Sequence, residues 1–230
     1  MASLSRILSH LRYRLLVRGR VQTWNLAYDL RFGEILRGDV ATRFSELGAE
    51  NTSNVSYFAL SLIFKNETIA DDDVLVDVGC GKGRVLNWWL SRRLPNRIVG
   101  LELDPEIAAH TRHRLRKYRN VTIVTGDAIE NLPVDGTLFF VFNPFGRPVV
   151  SRFKERILQL PRRDKIRIHY DNCVHVDVFE NDPRFSVEHR DLIPHGCSAM
   201  RREVLERLLD TAAVKRACAS VIAMRGSTNF

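Results

Sequence analysis

The chain has 230 residues, 45% of them hydrophobic and 27% charged, with a formal net charge of +8 at pH 7. These are the proportions of a soluble globular protein, and the length allows one large domain or a domain with an extension. No apolar run reaches the roughly 18 residues of a membrane span, and four scattered cysteines (Cys80, Cys173, Cys197 and Cys218) with no CxxC pair argue against a disulfide frame or a zinc site.

The charge is concentrated at the start. Residues 1–43 hold eight arginines against Asp29, Glu34 and Asp39, a net of +5. Leu4, Ile7, Leu8, Leu11 and Leu15 recur at helical spacing, which predicts a basic amphipathic helix. Such a helix either packs on the domain with its arginines in solvent or meets an anionic partner, a nucleic acid or a membrane surface. Arg12, Arg14 and Arg18 interrupt any signal-peptide apolar core, so the expected location is cytoplasmic, with reduced thiols. Residues 1–50 are therefore expected to be a basic helical extension and 51–230 the domain proper.

A helix over 53–68 is expected to cover a sheet. From Asp73 the alternation is regular: strand 74–78, helix 84–94, strand 97–103, a helix opened by Asp104 and Pro105 and running to Tyr118, strands 121–125 and 137–142, helix 148–160, and strand 165–170. Beyond residue 171 the pattern weakens to strands over 185–193 and 218–225 and a helix over 199–216. Strands alternating with helices of about 10 to 15 residues predict an α/β fold: a doubly wound, Rossmann-like, mostly parallel sheet with helices on both faces.

The chemistry is concentrated in Val74-Leu75-Val76-Asp77-Val78-Gly79-Cys80-Gly81-Lys82-Gly83-Arg84. An apolar strand ends at an acidic residue, and three alternate glycines then let the backbone turn tightly and approach a ligand. An open α/β sheet binds nucleotide-like ligands at this place. Glu102 lies near the end of the second strand, where a carboxylate can accept from two ribose hydroxyls, and Asp127 follows the third strand in Thr-Gly-Asp-Ala. One strand-end carboxylate is most often a helix cap. Three in order after consecutive strands point to a cofactor site.

Over about residues 50–190, these motifs, with Asn143-Pro144-Phe145-Gly146 after the fourth strand, resemble the class I S-adenosylmethionine-dependent methyltransferase family. The resemblance implies seven strands in the order 3-2-1-4-5-7-6, the seventh antiparallel. It places Gly79, Cys80, Gly81 and Gly83 beneath the methionine part of the cofactor, with Asp77 near its amino group. Glu102, beside Leu103, would bind the ribose hydroxyls, Asp127 would accept from the adenine amino group, and Ala128 would lie on the ring edge. A nicotinamide-binding Rossmann domain would instead space its glycines GxGxxG; here the spacing is GxGxG and residue 84 is arginine.

Asn143, Pro144 and Phe145 are the residues closest to methyl transfer, and Asn143 also borders the cofactor. They resemble the family's Asn-Pro-Pro-Tyr/Phe motif, which binds a target amino group, but carry one proline where that motif has two. Some methyltransferases with this shortened motif also resemble the chain at Tyr28-Asp29-Leu30-Arg31-Phe32-Gly33. Tyr57, His169, Tyr170 and His175 are weaker candidates, with Lys82 and Arg147 for an anionic substrate; the alternatives are a core aromatic at Tyr57, a satisfied structural histidine, and solvated surface cations at Lys82 and Arg147. The acceptor class stays open. One reading is an enzyme acting on a small molecule, glycan or protein at N or O; a second is a nucleic-acid methyltransferase guided by the basic segment; a third is a non-catalytic nucleotide- or NAD-binding protein.

Overall fold

The strands form where short apolar runs can be covered on both sides. The computed structural model describes residues 19–38, 43, 44, 46, 54–142, 145–191 and 218–224. Five parallel strands, β1 (Val74–Val78), β2 (Arg97–Glu102), β3 (Val121–Thr125), β4 (Leu138–Phe142) and β5 (Arg167–Asp171), are followed by β6 (Phe185–Asp191) and β7 (Cys218–Met224). The order across the sheet is β3-β2-β1-β4-β5-β7-β6, and β7 runs antiparallel to both its neighbours.

Every residue of β1 is buried, as a parallel strand with helices on both faces requires. The described helices are α1 (19–31), α2 (Tyr57–Ile63), α3 (Arg84–Ser91), α4 (Pro105–Leu115), α5 (Arg147–Leu158) and α6 (Asp177–Glu180). The period-2 alternation of the strands divides the core. Val74, Val76 and Val78 share one cluster with Val150, Phe153 and Ile157 of α5. Leu75, Ile98, Leu138 and Phe140 share the other with Tyr57 and Leu60 of α2 and Trp88 and Trp89 of α3.

Element ends differ from the sequence expectation where a cap or turn intervenes. The helix expected over 53–68 is Tyr57–Ile63, because the Ser56 hydroxyl accepts from Ala59 N at 3.1 Å and so fixes the first turn. The fifth strand begins at Arg167 because Arg163–Lys165 close a 3-10 turn before it. Asp104 caps α4 as expected, accepting from Glu106 N at 2.8 Å, but that helix ends at Leu115. The expected helices over 4–15 and 199–216 lie outside the described residues. Among the described residues no helix is long and apolar enough to cross a membrane.

The two ends of the sheet are built differently. At the amino ends of β1, β4 and β5, Arg167 donates to Glu67 at 2.6 Å and to Asp73 at 2.8 Å, and Thr137 donates to Asp73 at 2.7 Å. Despite burial, His169 and then Arg167 hold the Glu67 carboxyl below the usual carboxylate range, and Thr137 and Arg167 do so for Asp73. At the carboxyl ends the order reverses between β1 and β4, which is the switch point where an open sheet leaves a ligand crevice.

Gly100 lets β2 approach the glycine turn: a Cβ there would stand 2.8 Å from Cys80 Sγ and 3.0 Å from Ile123 Cδ1. Gly100→Ala is expected to destabilise the protein by about 1–3 kcal/mol through overpacking. The check is a denaturant titration, with a lower midpoint and an unchanged slope.

Candidate active site

The turn after β1 is held from both sides. Gly79 N and Cys80 N both donate to Leu101 O, at 2.9 and 2.8 Å, which draws the turn over the end of β2. Gly81 N donates to Glu102 Oε2 at 2.7 Å, and Gly81 O accepts from Thr111 Oγ1 of α4 at 2.9 Å. All three glycines have positive φ (78° at Gly79, 50° at Gly81, 79° at Gly83). At Gly83 a side chain would also meet Thr111 Cγ2 at 3.0 Å and Arg114 Nη2 at 3.1 Å. The turn is therefore restricted to glycine by conformation and by space.

Two carboxylates stand beneath it. Asp77 is 3% exposed and its Oδ2 has no hydrogen-bond partner among the described residues. Burial, reinforced by the charge of Glu102, pushes the Asp77 carboxyl well above its ordinary value of 3.8. Glu102 is 6% exposed, and burial raises its pKa against the N–H groups of Asp104 and Gly81 that stabilise its charge. Its Oε1 accepts from Asp104 N at 2.9 Å, so each oxygen already holds one backbone donor. A carboxylate offers about four lone-pair sites, so these two bonds do not exhaust its capacity. The same burial and charges push the Cys80 thiol up, so it is a packing residue against Gly100 and not a nucleophile.

The remaining residues sit at neighbouring strand ends. Leu103 is half-buried beside Glu102. Asp127 is exposed after β3, its Oδ1 accepting from Ile129 N at 2.7 Å, and Ala128 is buried behind it. Gly126 N donates to Glu102 O at 2.9 Å, which brings this loop to the end of β2. Asn143 and Pro144 lie outside the described residues; Phe145, which follows them, is half-buried against the core on the α5 side. Asp77, Glu102 and the glycine turn thus form one group, with Asp127, Ala128 and Phe145 on the flanking loops.

Other sequence candidates are used elsewhere. Tyr57 is fully buried, donates to Asp29 Oδ1 at 2.9 Å and accepts from Asn87 at 3.0 Å, so it is a core link. His169 is fully buried within β5, bonded to Glu67 at 2.9 Å and packed on Phe64, away from the strand end. Arg147 is bonded to Asp177 of α6 at 2.8 Å, and Lys82 donates to Gly38 O at 3.2 Å.

The sequence reading missed the ion pair of Arg84 with Asp29, which closes at 2.7 Å with both side chains buried. The available signal was an arginine opening a helix directly after Gly83.

A buried carboxylate with an unmet oxygen, beside a backbone turn that admits close approach, fits a small ligand carrying a cationic group. The amino-acid end of S-adenosylmethionine is such a group.

Residues 75–158 match the family model described as methyltransferase domain. No curated protein sequence matches the chain. Among solved structures, an O-methyltransferase from Bacillus cereus is 15% identical with TM-score 0.51, over 89% of this chain and all (100%) of that one. An RNA methyltransferase from Salinibacter ruber, solved with S-adenosyl-L-homocysteine, is 15% identical with TM-score 0.51, over 78% of this chain and 97% of its own. Geranyl diphosphate C-methyltransferase from Streptomyces coelicolor is 16% identical with TM-score 0.51, over 73% and 78%. At such identities the likeness is one of fold. The shared feature is the seven-stranded sheet in the order β3-β2-β1-β4-β5-β7-β6, and the segment 75–158 is similar to a methyltransferase domain.

Asp77→Asn is expected to separate stability from binding. Above the raised pKa it removes an uncompensated buried charge and should raise the unliganded protein's stability. It should also weaken cofactor binding strongly. In the unmodified protein a raised carboxyl pKa means stability is lost as pH climbs through it, while affinity for a cationic ligand grows over the same interval. Melting curves and calorimetric titration with S-adenosylhomocysteine, each across pH, check both signs.

Proposed function

We propose that this domain transfers the methyl group of S-adenosylmethionine to a nitrogen or oxygen acceptor on a small molecule, glycan or protein. The observation that carries the cofactor part is the unpartnered, buried Asp77 Oδ2 beside a glycine turn fastened to Glu102. Asp77 receives the amino group of the methionine part, and Gly79, Cys80, Gly81 and Gly83 form the floor beneath it. Glu102 and Leu103 meet the ribose, and Asp127 and Ala128 meet the adenine.

When bound, S-adenosylmethionine supplies a methyl group on a positively charged sulfur that leaves readily. The protein's task is then to align the acceptor and exclude water, and positioning of this kind is worth roughly 7–11 kcal/mol. Asn143, Pro144 and Phe145, following β4 at the switch point, are the residues proposed to hold the acceptor. A general base is required only if the acceptor must lose a proton. His169 is unsuited to that task, being buried against Glu67.

A second reading has a nucleic acid as acceptor. Arg20, Arg31 and Arg37 in the basic N-terminal segment are exposed, which favours an anionic partner there.

Two measurements test these readings. Calorimetric titration with S-adenosylhomocysteine should show binding that Glu102→Ala weakens by at least about tenfold; absence of binding to the unmodified chain rejects the methyltransferase reading. Transfer of a radiolabelled methyl group into fractionated extract should then label small-molecule, glycan or protein fractions. Label in nucleic acid, with affinity falling steeply as salt rises, would favour the second reading.

A further inference from the structure

The segment Tyr28-Asp29-Leu30-Arg31-Phe32-Gly33 has no part in the cofactor reading so far. Its place in the fold gives it one. Arg84 is the first residue of α3, directly after Gly83. A cation there meets the positive end of the helix dipole, and this one is only 6% exposed. Both conditions disfavour it unless a carboxylate is supplied.

Asp29, at 1% exposure, is that carboxylate. Arg84 Nε donates to its Oδ1 at 3.2 Å and Arg84 Nη2 to its Oδ2 at 2.7 Å, a two-point contact. The remaining capacity of Asp29 is also used: Leu36 N donates to Oδ2 at 3.1 Å and Tyr57 Oη to Oδ1 at 2.9 Å. From Tyr57 the bonds run on. Asn87 Nδ2 donates to Tyr57 Oη at 3.0 Å, and Asn87 Oδ1 accepts from Arg114 Nη1 at 3.0 Å. Arg114 Nη1 also reaches Phe32 O at 3.1 Å, and its Nη2 donates to Lys82 O at 2.6 Å. Residues 82–84 are thus gripped at Lys82 O by one arginine and at Arg84 by a carboxylate, and both grips lead back to residues 29–36.

We propose that Asp29 is a positioning residue of the cofactor site. Through Arg84, and through Tyr57, Asn87 and Arg114, it holds the backbone of residues 81–84 in the conformation that receives the methionine part of the cofactor. Cofactor affinity is therefore set in part by the segment 25–36, which precedes the glycine turn by about fifty residues. The inference rests on the cofactor reading given above.

The test uses the full chain with Asp29→Asn, which keeps the side chain's size and removes its charge. At a temperature where circular dichroism shows all forms folded, its dissociation constant for S-adenosylhomocysteine should rise about tenfold. Arg84→Gln should weaken binding similarly, and the double variant should be little worse than either single one, because the pair acts as a unit. Asp135→Asn, which breaks an exposed pair with Arg97, should leave affinity unchanged. Without cofactor, amide exchange in the segment 79–86 should accelerate in Asp29→Asn, with no change across β5 and β7.

Lower melting temperatures with affinities unchanged, or exchange that rises evenly over the whole chain, would overturn the proposal and leave the network a purely structural one. Failure of the unmodified chain to bind S-adenosylhomocysteine would instead reject the cofactor reading itself.

Discussion

A buried arginine at the positive end of a helix is the constraint around which the glycine turn of this protein is organised. Arg84 cannot stand where it does without the carboxylate of Asp29, and Asp29 comes from a segment far upstream. Breaking such a pair costs far more than the pair contributes over an apolar substitute, since an uncompensated charge stays behind. Its value is geometric. It makes the glycine turn, the covering helix α2 and the segment 25–36 one unit, bound by shared hydrogen bonds at Asp29, Tyr57 and Asn87.

The sheet separates two kinds of charge. At the amino ends of the strands, Asp73 and Glu67 are fully partnered by Arg167, Thr137 and His169, and their carboxyls are held low. At the carboxyl ends, Asp77 is buried with an oxygen unmet, and its carboxyl is held high. The first arrangement stabilises the fold. The second is unfavourable in the unliganded chain, and that is what supports the proposed binding role of Asp77. Glu102, also at a carboxyl end, spends one lone pair of each oxygen on the backbone through Gly81 N and Asp104 N.

The parallel sheet was legible in the chain because its central strands are buried on both faces and are mostly apolar, so Val74–Val78 and Leu138–Phe142 stand out from the helices between them. Their ends were less legible. Local capping settles them, as Ser56 shortens α2 and the turn at Arg163–Lys165 delays β5. The partners of His169 and Tyr57 were not legible for a related reason. A strand or helix position can be assigned from periodicity, but which neighbour takes the side chain depends on segments distant in sequence: Glu67 for His169, Asp29 for Tyr57.

By itself the sequence determined the short apolar strands, the glycine turn and the acidic residues at successive strand ends, because these follow from short-range patterns of burial, backbone freedom and capping; the strand order was only what the family resemblance implied. Tertiary structure alone decided that the oxygen of Asp77 is left unmet, that Glu102 fastens Gly81, and that Asp29 neutralises Arg84. Each of these depends on the burial of a charge and on the partner that reaches it, and burial is a property of the packed chain, set by residues that only the fold brings together.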